Sequence, residues 1–152
     1  MSSDEKTVLM PRPESVAVGT QLSGTYQLDQ RIASGGMGEV FRGHNIHTQD
    51  SVAIKIVLPE FARDAKILAL FRKEASVLKH LAHEAIVRYE IFTIDQGIGR
   101  PYLAMEFVDG MSLADMFKRG PMAPEDARKL LFRLASGLAA AHEAGIVHRD
   151  LS

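Results

Sequence analysis

The sequence predicts an α+β fold in which short strands come first and helices follow. From about Thr25 to Val108 the apolar residues fall into short runs with turn residues between them, which is typical of strands. After about residue 112 the apolar residues instead recur at helical spacing, between recognisable start and stop residues. At 152 residues the chain is long enough for one domain with a buried core.

The chain begins with a segment that carries no periodic pattern. Residues 1 to about 21 contain Pro11 and Pro13 among small polar residues, and we interpret them as a disordered tail. Five strands and one helix are predicted after this tail. The strands are TYQLDQRIA, EVFRG, SVAIKIVL, VRYEIF and PYLAMEFV, and the helix covers about residues 64 to 82, between the third strand and the fourth.

Two further helices are predicted in the second half of the chain. Ser112 and Asp115 form a capping box that begins a short helix, and Gly120 ends it. A long helix runs from about Pro124 to Glu143, with proline and acidic residues in its first turn. Apolar residues spread over more than one face of this helix, which predicts burial by several neighbours. From the sequence alone we expect further chain to be needed to cover it.

Composition excludes several classes of function. A net charge of −1 provides no basic surface for nucleic acid or for an anionic membrane. Cysteine is absent, which removes disulfides, cysteine-ligated zinc and cysteine nucleophiles together. No apolar run approaches the roughly 18 residues of a membrane span, and the N-terminus does not resemble a signal peptide. We therefore expect a cytoplasmic protein.

A glycine-rich loop, Ala33-Ser34-Gly35-Gly36-Met37-Gly38, separates the first two predicted strands. Glycines allow a backbone to approach a phosphate closely and to direct its N–H groups at it. In dinucleotide-binding folds such a loop leads into a helix, whereas here it leads into another strand. A strand–turn–strand flap over a triphosphate is the arrangement of protein kinases. The alternative is an ordinary hairpin turn.

Lys55 is a single cation within an otherwise apolar strand, and the next helix carries Glu74 within its apolar stripe. Burying a carboxylate without a partner costs several kcal/mol, so we expect Glu74 to pair with Lys55. Such a pair would hold the ammonium group toward the α- and β-phosphates of a nucleotide. The alternatives are a lysine that reaches solvent at the strand edge and a glutamate that faces water at the margin of the stripe.

Three polar residues, His148, Arg149 and Asp150, follow the long helix and the short apolar run Gly145-Ile146-Val147. Polar side chains directly after buried elements indicate a catalytic loop on a rigid scaffold. Asp150 would accept a hydrogen bond from a hydroxyl substrate and orient it. The alternative is a surface or capping aspartate, and the loop, lysine, glutamate and HRDL in this order favour the catalytic interpretation.

The segments IASGGMGEVF, VAIK, FRKEASVL, LAMEFVDGMSL and AHEAGIVHRDL together resemble the bacterial serine/threonine protein kinases of eukaryotic type. The resemblance covers about residues 22 to 152. It implies the protein-kinase fold, with a five-stranded antiparallel N-lobe sheet and one helix to about residue 108. A hinge at about 106–110 and the first helices of the α-helical C-lobe would follow, so that the kinase domain is incomplete at residue 152.

The resemblance also implies an activity and its partners. The protein would transfer the γ-phosphoryl group of ATP to serine or threonine hydroxyls of protein substrates, with ATP and Mg²⁺ as cofactors. A homodimer through the kinase lobes is a further expectation. In catalysis Asp150 would be the base, supported by His148 and Arg149, and Lys55 would bind phosphate while paired with Glu74.

A second set of residues would bind the nucleotide. Val40 and Ala53 would sandwich the adenine, Lys55 would contact the α- and β-phosphates, and Met105 occupies the gatekeeper position. The backbone of Glu106 and Val108 would contact the adenine edge at the hinge. The residues expected to form the flap over the phosphates are Ile32, Ala33, Ser34, Gly35, Gly36, Met37, Gly38, Glu39 and Val40.

The sequence departs from the family pattern in three ways. Ala33 replaces the first glycine of the flap, and a methyl group is tolerable there if the backbone is extended. Ser152 stands where serine/threonine kinases usually have lysine. The family's magnesium-binding asparagine and DFG aspartate would lie beyond residue 152, so we expect the isolated 152-residue chain to lack phosphotransfer activity.

Two other functional classes stay open at the sequence level. One is a pseudokinase remnant that binds nucleotide or docks on a partner without catalysis. The other is a small-molecule phosphotransferase of related fold, although such enzymes generally lack this flap together with HRDL. The histidine pairs His44/His47 and His80/His83 have no carboxylate at zinc-binding spacing, so we expect no metal ligands in this chain.

Overall fold

A computed structural model provides the fold and describes residues 15–35 and 38–147. Within one helix the side chains of five residues lie outside this description, namely Ile67, Leu70, Phe71, Glu74 and Val77. The described part consists of one antiparallel sheet, interrupted along the chain by two helices between its fourth and fifth strands, and of two further helices after the last strand. This order confirms the predicted fold class.

Six strands form the sheet in the described ranges, where the sequence predicts five. They are β1 (Gln21–Leu22), β2 (Tyr26–Gly35), β3 (Gly38–Asn45), β4 (Ser51–Val57), β5 (Tyr89–Asp95) and β6 (Arg100–Glu106). Their order is β1-β2-β3-β4-β6-β5, so β4 lies between β3 and β6. The prediction was wrong about β1 because its two residues carry no period. They pair with β2 across a turn in which Ser23 and Gly24 have φ values of 50° and 61°.

Four helices lie in the described ranges: α1 (Pro59–Ala62), α2 (Ala65–Leu78), α3 (Leu113–Lys118) and α4 (Pro124–Glu143). The helix α2 is shorter than predicted, and it packs against β5. As expected, α3 is capped by Ser112, whose hydroxyl accepts a hydrogen bond of 3.1 Å from the N–H of Asp115. Leu131 and Phe132 of α4 are 65% and 76% exposed, consistent with an apolar surface wider than one face.

One face of the sheet forms the core. Val52, Ile54 and Ile56 alternate along β4 and are fully buried, because successive strand side chains point to opposite faces. The buried side chains of the neighbouring strands that pack with them are Leu22, Tyr26, Leu28, Phe41, Tyr102 and Ala104. The opposite face of β4 carries Ala53 and Lys55, which are half-buried. This second face is the one available for a ligand.

The segment before β1 lies against the sheet, and we call residues 15–20 the N-terminal strap. Its Gly19 N–H donates to the carbonyl of Leu28 at 2.7 Å, and the N–H of Leu28 donates to the carbonyl of Thr20 at 3.0 Å. Val16 packs against the core. The tail is predicted to extend to about residue 21, but residues 15–21 contact the folded part of the chain.

Candidate active site

Four of the residues expected to bind a nucleotide lie together on the second face of the sheet. In the strand register Val40 of β3 is opposite Lys55 of β4, and Met105 of β6 is opposite Ala53. Residues that are directly opposite each other in an antiparallel pair share a face. All four are half-buried, as is Leu103, which lies opposite Lys55 on β6. The face is therefore mostly apolar around the ammonium group of Lys55.

Lys55 owes its position to the alternation of β4. Its neighbours Ile54 and Ile56 enter the core, which directs Lys55 to the opposite face. Residue 74 lies within α2, but the side chain of Glu74 is outside the described set. The Lys55–Glu74 pair therefore stays a prediction.

The glycine loop connects β2 and β3 as a tight hairpin, in which Gly35 pairs with Gly38 and Ala33 with Val40. Gly36 and Met37 at its tip lie outside the described residues. A Cβ atom on Gly38 would lie 2.3 Å from the carbonyl oxygen of Ile56, so glycine is required for β3 to approach β4 here.

The other flap residues follow the two strands. Ile32 is 51% exposed, and Ala33 and Ser34 are also exposed. Ala33 lies within β2 and is not among the described non-glycine residues with positive φ, so its backbone accommodates the methyl group. The replacement of the first glycine is thus compatible with the hairpin.

Glu39 behaves differently from its neighbours in the flap. Its side chain is on the face opposite to Val40, and the residue is only 5% exposed. The carboxylate accepts hydrogen bonds from the Ser15 hydroxyl, from the Val16 N–H at 3.3 Å and from Arg31 at 3.3 Å. Burial alone would raise the pKa of Glu39, but these donors together with the positive charge of Arg100 hold it below its usual value. The carboxylate is therefore ionised and directed away from the nucleotide face.

The end of β6 provides the expected hinge. The N–H of Glu106 donates to the carbonyl of Arg88 at 2.8 Å, and the Glu106 carboxylate accepts the N–H of Arg88 at 3.2 Å. Any contact of the Glu106 backbone with a base would therefore use its carbonyl. Val108 is 62% exposed beside it.

Two features of this surface escaped the sequence analysis. Leu103 belongs to the ligand face, which the alternation of LAME in the predicted strand could have shown. The guanidinium of Arg42 lies 4.8 Å from the ring centroid of Phe107, a cation–π contact that joins β3 to the hinge. No sequence pattern relates these two distant residues.

The expected catalytic loop lies at the edge of the described residues. The helix α4 ends at Glu143, and Gly145 with φ of 78° turns the chain so that the Ile146 N–H reaches the Ala141 carbonyl at 2.9 Å. His148, Arg149 and Asp150 follow and lie outside the described residues. Their roles remain predictions.

The described residues can be tested against the implied ATP and magnesium. A half-buried apolar face, a lysine at its centre and a hairpin whose glycine permits close approach fit a nucleoside triphosphate. No group of three or more His, Asp or Glu residues suited to a metal ion occurs in the described ranges. None of the helices described is long and apolar enough to cross a membrane.

Comparison with known proteins gives a consistent result. A family model described as "Protein kinase domain" matches residues 26–152. Serine/threonine-protein kinase pkn2 of Myxococcus xanthus is 41% identical over 130 residues, which cover 86% of this chain and 15% of that protein. Serine/threonine-protein kinase PrkC of Bacillus subtilis is 35% identical over 135 residues, which cover 88% and 20%.

The fold is also found among solved structures. The crystal structure of the Mycobacterium tuberculosis PknI kinase domain superposes with a TM-score of 0.74 at 25% sequence identity. The match covers 91% of this chain and 56% of that one. The chain thus spans little more than half of a kinase domain of known structure, and a fifth or less of the two curated relatives.

Proposed function

Because the chain belongs to the protein kinase family and resembles bacterial serine/threonine kinases, we propose that the protein containing it phosphorylates serine or threonine hydroxyls of proteins, using ATP. The observation that carries this proposal is the placement of Val40, Ala53, Lys55 and Met105 on one half-buried sheet face. The glycine hairpin lies at the end of the same strands. Three sequence-distant segments are thereby combined in one surface.

Each proposed contact uses a property of that surface. The small side chains of Val40 and Ala53 leave room for a flat base against the sheet, and Met105 limits how deep the base can go. The carbonyl of Glu106 and the backbone of Val108 would bond to the base edge. The Lys55 ammonium would then meet the α- and β-phosphates under the hairpin.

Catalysis would consist of positioning and charge neutralisation, because phosphoryl transfer requires little covalent chemistry from the protein. Lys55 would offset phosphate charge, and Glu74 would hold Lys55 in place. Asp150 would accept a hydrogen bond from the substrate hydroxyl and take its proton. Magnesium, when bound, supplies further positive charge at the phosphates, and the resemblance assigns its ligands to residues after 152.

The proposal includes a cytoplasmic location, where ATP and protein substrates are present, and a homodimer through the kinase lobes. Both extend the family relationship. Sedimentation of the complete protein would test the dimer, and a monomer at all concentrations would contradict it.

The function is tested by transfer of labelled phosphate from ATP to a protein substrate, with the complete protein as enzyme. We expect Lys55→Met and Asp150→Asn each to lower the rate at least about a hundredfold, since each removes a charge that acts in the transition state. Lys66→Met is the matched control, because Lys66 is an exposed lysine at the start of α2. Equal rates for the wild type and the Lys55→Met variant would contradict the proposal.

A second experiment uses the 152-residue chain alone. We expect it to bind ATP without transferring phosphate, because the resemblance assigns the magnesium ligands to later residues. Phosphate incorporation that Asp150→Ala abolishes would show this expectation to be wrong.

A further inference from the structure

The Glu39 carboxylate is contacted by four residues from three separate segments of the chain. Ser15 and Val16 of the strap donate to it from outside the sheet, and Arg31 donates from β2. From the start of β6, the Nη2 atom of Arg100 lies 3.5 Å from it. We call Glu39 and these four partners the Glu39 cluster.

The Glu39–Arg100 pair at the centre of the Glu39 cluster is shielded from water. The side chains of Glu39 and Arg100 are each 7% exposed, whereas that of Arg31 is 51% exposed. Arg100 is oriented by its Nε atom, which donates to the carbonyl of Val57 at 2.9 Å. Truncating one member of a buried charge pair leaves the other without compensation, so Glu39 and Arg100 depend on each other.

The position of Glu39 in β3 connects this cluster to the ligand face. Gly38 and Val40 flank Glu39 and lie on the ligand side of the sheet. Gly38 approaches β4 closely, and Val40 lies opposite Lys55. Arg31 lies in β2 just before the flap residues Ile32 and Ala33. The cluster therefore contacts both strands of the hairpin on the sheet face opposite to the ligand.

We propose that Glu39 is a positioning residue for ATP binding. By anchoring the glycine hairpin to the strap and to Arg100, Glu39 fixes the distance between the hairpin and the phosphates. This inference rests on the proposed nucleotide site. Glu39 touches no part of the ligand, and its effect is transmitted through the backbone of residues 38–40. Loss of the anchor should weaken contacts with the phosphates and leave contacts with the base unchanged.

The test compares dissociation constants of ATP and of adenosine for the complete protein, measured by calorimetry. In Glu39→Gln, which keeps the shape and removes the charge, we expect the ATP constant to rise about fivefold or more and the adenosine constant to stay unchanged. The matched control is Asp29→Asn, a carboxylate in the same hairpin that pairs with His44 at 2.7 Å, outside the cluster. It should alter neither constant.

A second variant covers the case in which Glu39→Gln does not fold. Arg31→Met removes an exposed member of the cluster and should raise the ATP constant selectively in the same way. Unchanged ATP binding in the folded variants, or equal weakening of ATP and adenosine, would overturn the positioning role. If the wild type binds ATP no better than adenosine, the proposed phosphate site itself fails, and the inference fails with it.

Discussion

At the scale of single residues, the role of a charged side chain in the sheet depends on which face of its strand it occupies. Lys55 and Glu39 are both charged residues within strands, yet Lys55 faces the ligand side and Glu39 the core side. Strand alternation predicts the direction of each side chain from the sequence. It does not predict that Glu39 meets Arg100, because that contact depends on the strand order.

Gly38 provides a test of close approach between strands. We expect Gly38→Ala to lower the free energy of unfolding by about 1–3 kcal/mol, because its Cβ atom would lie 2.3 Å from the backbone oxygen of Ile56. Gly35→Ala is the matched control within the same hairpin, since no atom lies within 4 Å of its Cβ position. Urea unfolding of both variants measures the difference, and equal stabilities would contradict this account of Gly38.

Glu39 also predicts a dependence of stability on pH. Its pKa is held below the ordinary value in the folded state, so its ionised form favours folding above that ordinary value. This contribution is lost as the pH falls through the folded pKa. We therefore expect the stability difference between wild type and Glu39→Gln to be constant above the ordinary glutamate pKa of about 4.3 and to shrink as the pH falls below it. Urea unfolding across this range measures it, and a difference independent of pH would contradict the assignment.

At the scale of elements, the sequence predicts best where local chemistry decides the boundary. The helix α4 has the predicted bounds because proline and acidic residues define its start and Gly145 its end. The predicted end of α2 was wrong because no such stop residue follows Leu78. There the chain turns to dock on α4, with His83 Nε2 lying 3.0 Å from the Ser136 hydroxyl. That docking is a tertiary contact, and it outweighs helix propensity.

The docking of this connection on α4 depends on Gly137. A Cβ atom on Gly137 would lie 3.2 Å from the Cβ of Ala85, and a larger side chain would displace the connection. We expect Gly137→Val to lower the free energy of unfolding by about 1–3 kcal/mol. Ala139→Val, at an exposed position of the same helix, should cost only the propensity difference of about 0.6 kcal/mol. Thermal unfolding compares the two, and equal losses would show that the contact with Ala85 is unimportant.

At the scale of the whole molecule, the described contacts are concentrated in the sheet. The central strand β4 has fully buried side chains on its core face and hydrogen-bonded neighbours on both sides, whereas α4 exposes Leu131 and Phe132. Hydrogen exchange follows local stability, and regions with few buried apolar contacts open first. We therefore expect the local stability of the 152-residue chain to be higher in β4 than in α4, although α4 is the longest helix of the described residues.

We expect the amides of β4 to exchange most slowly in the 152-residue chain, and those of α4 at least about tenfold faster. Helical hydrogen bonds alone do not protect α4, because most of the stability of a helix in a protein comes from packing of its apolar face. Exchange followed by mass spectrometry of peptides from each element measures the two rates. The residues of α4 around Gly137, which contact Ala85, should be its slowest part. Equal protection of α4 and β4 would contradict this prediction.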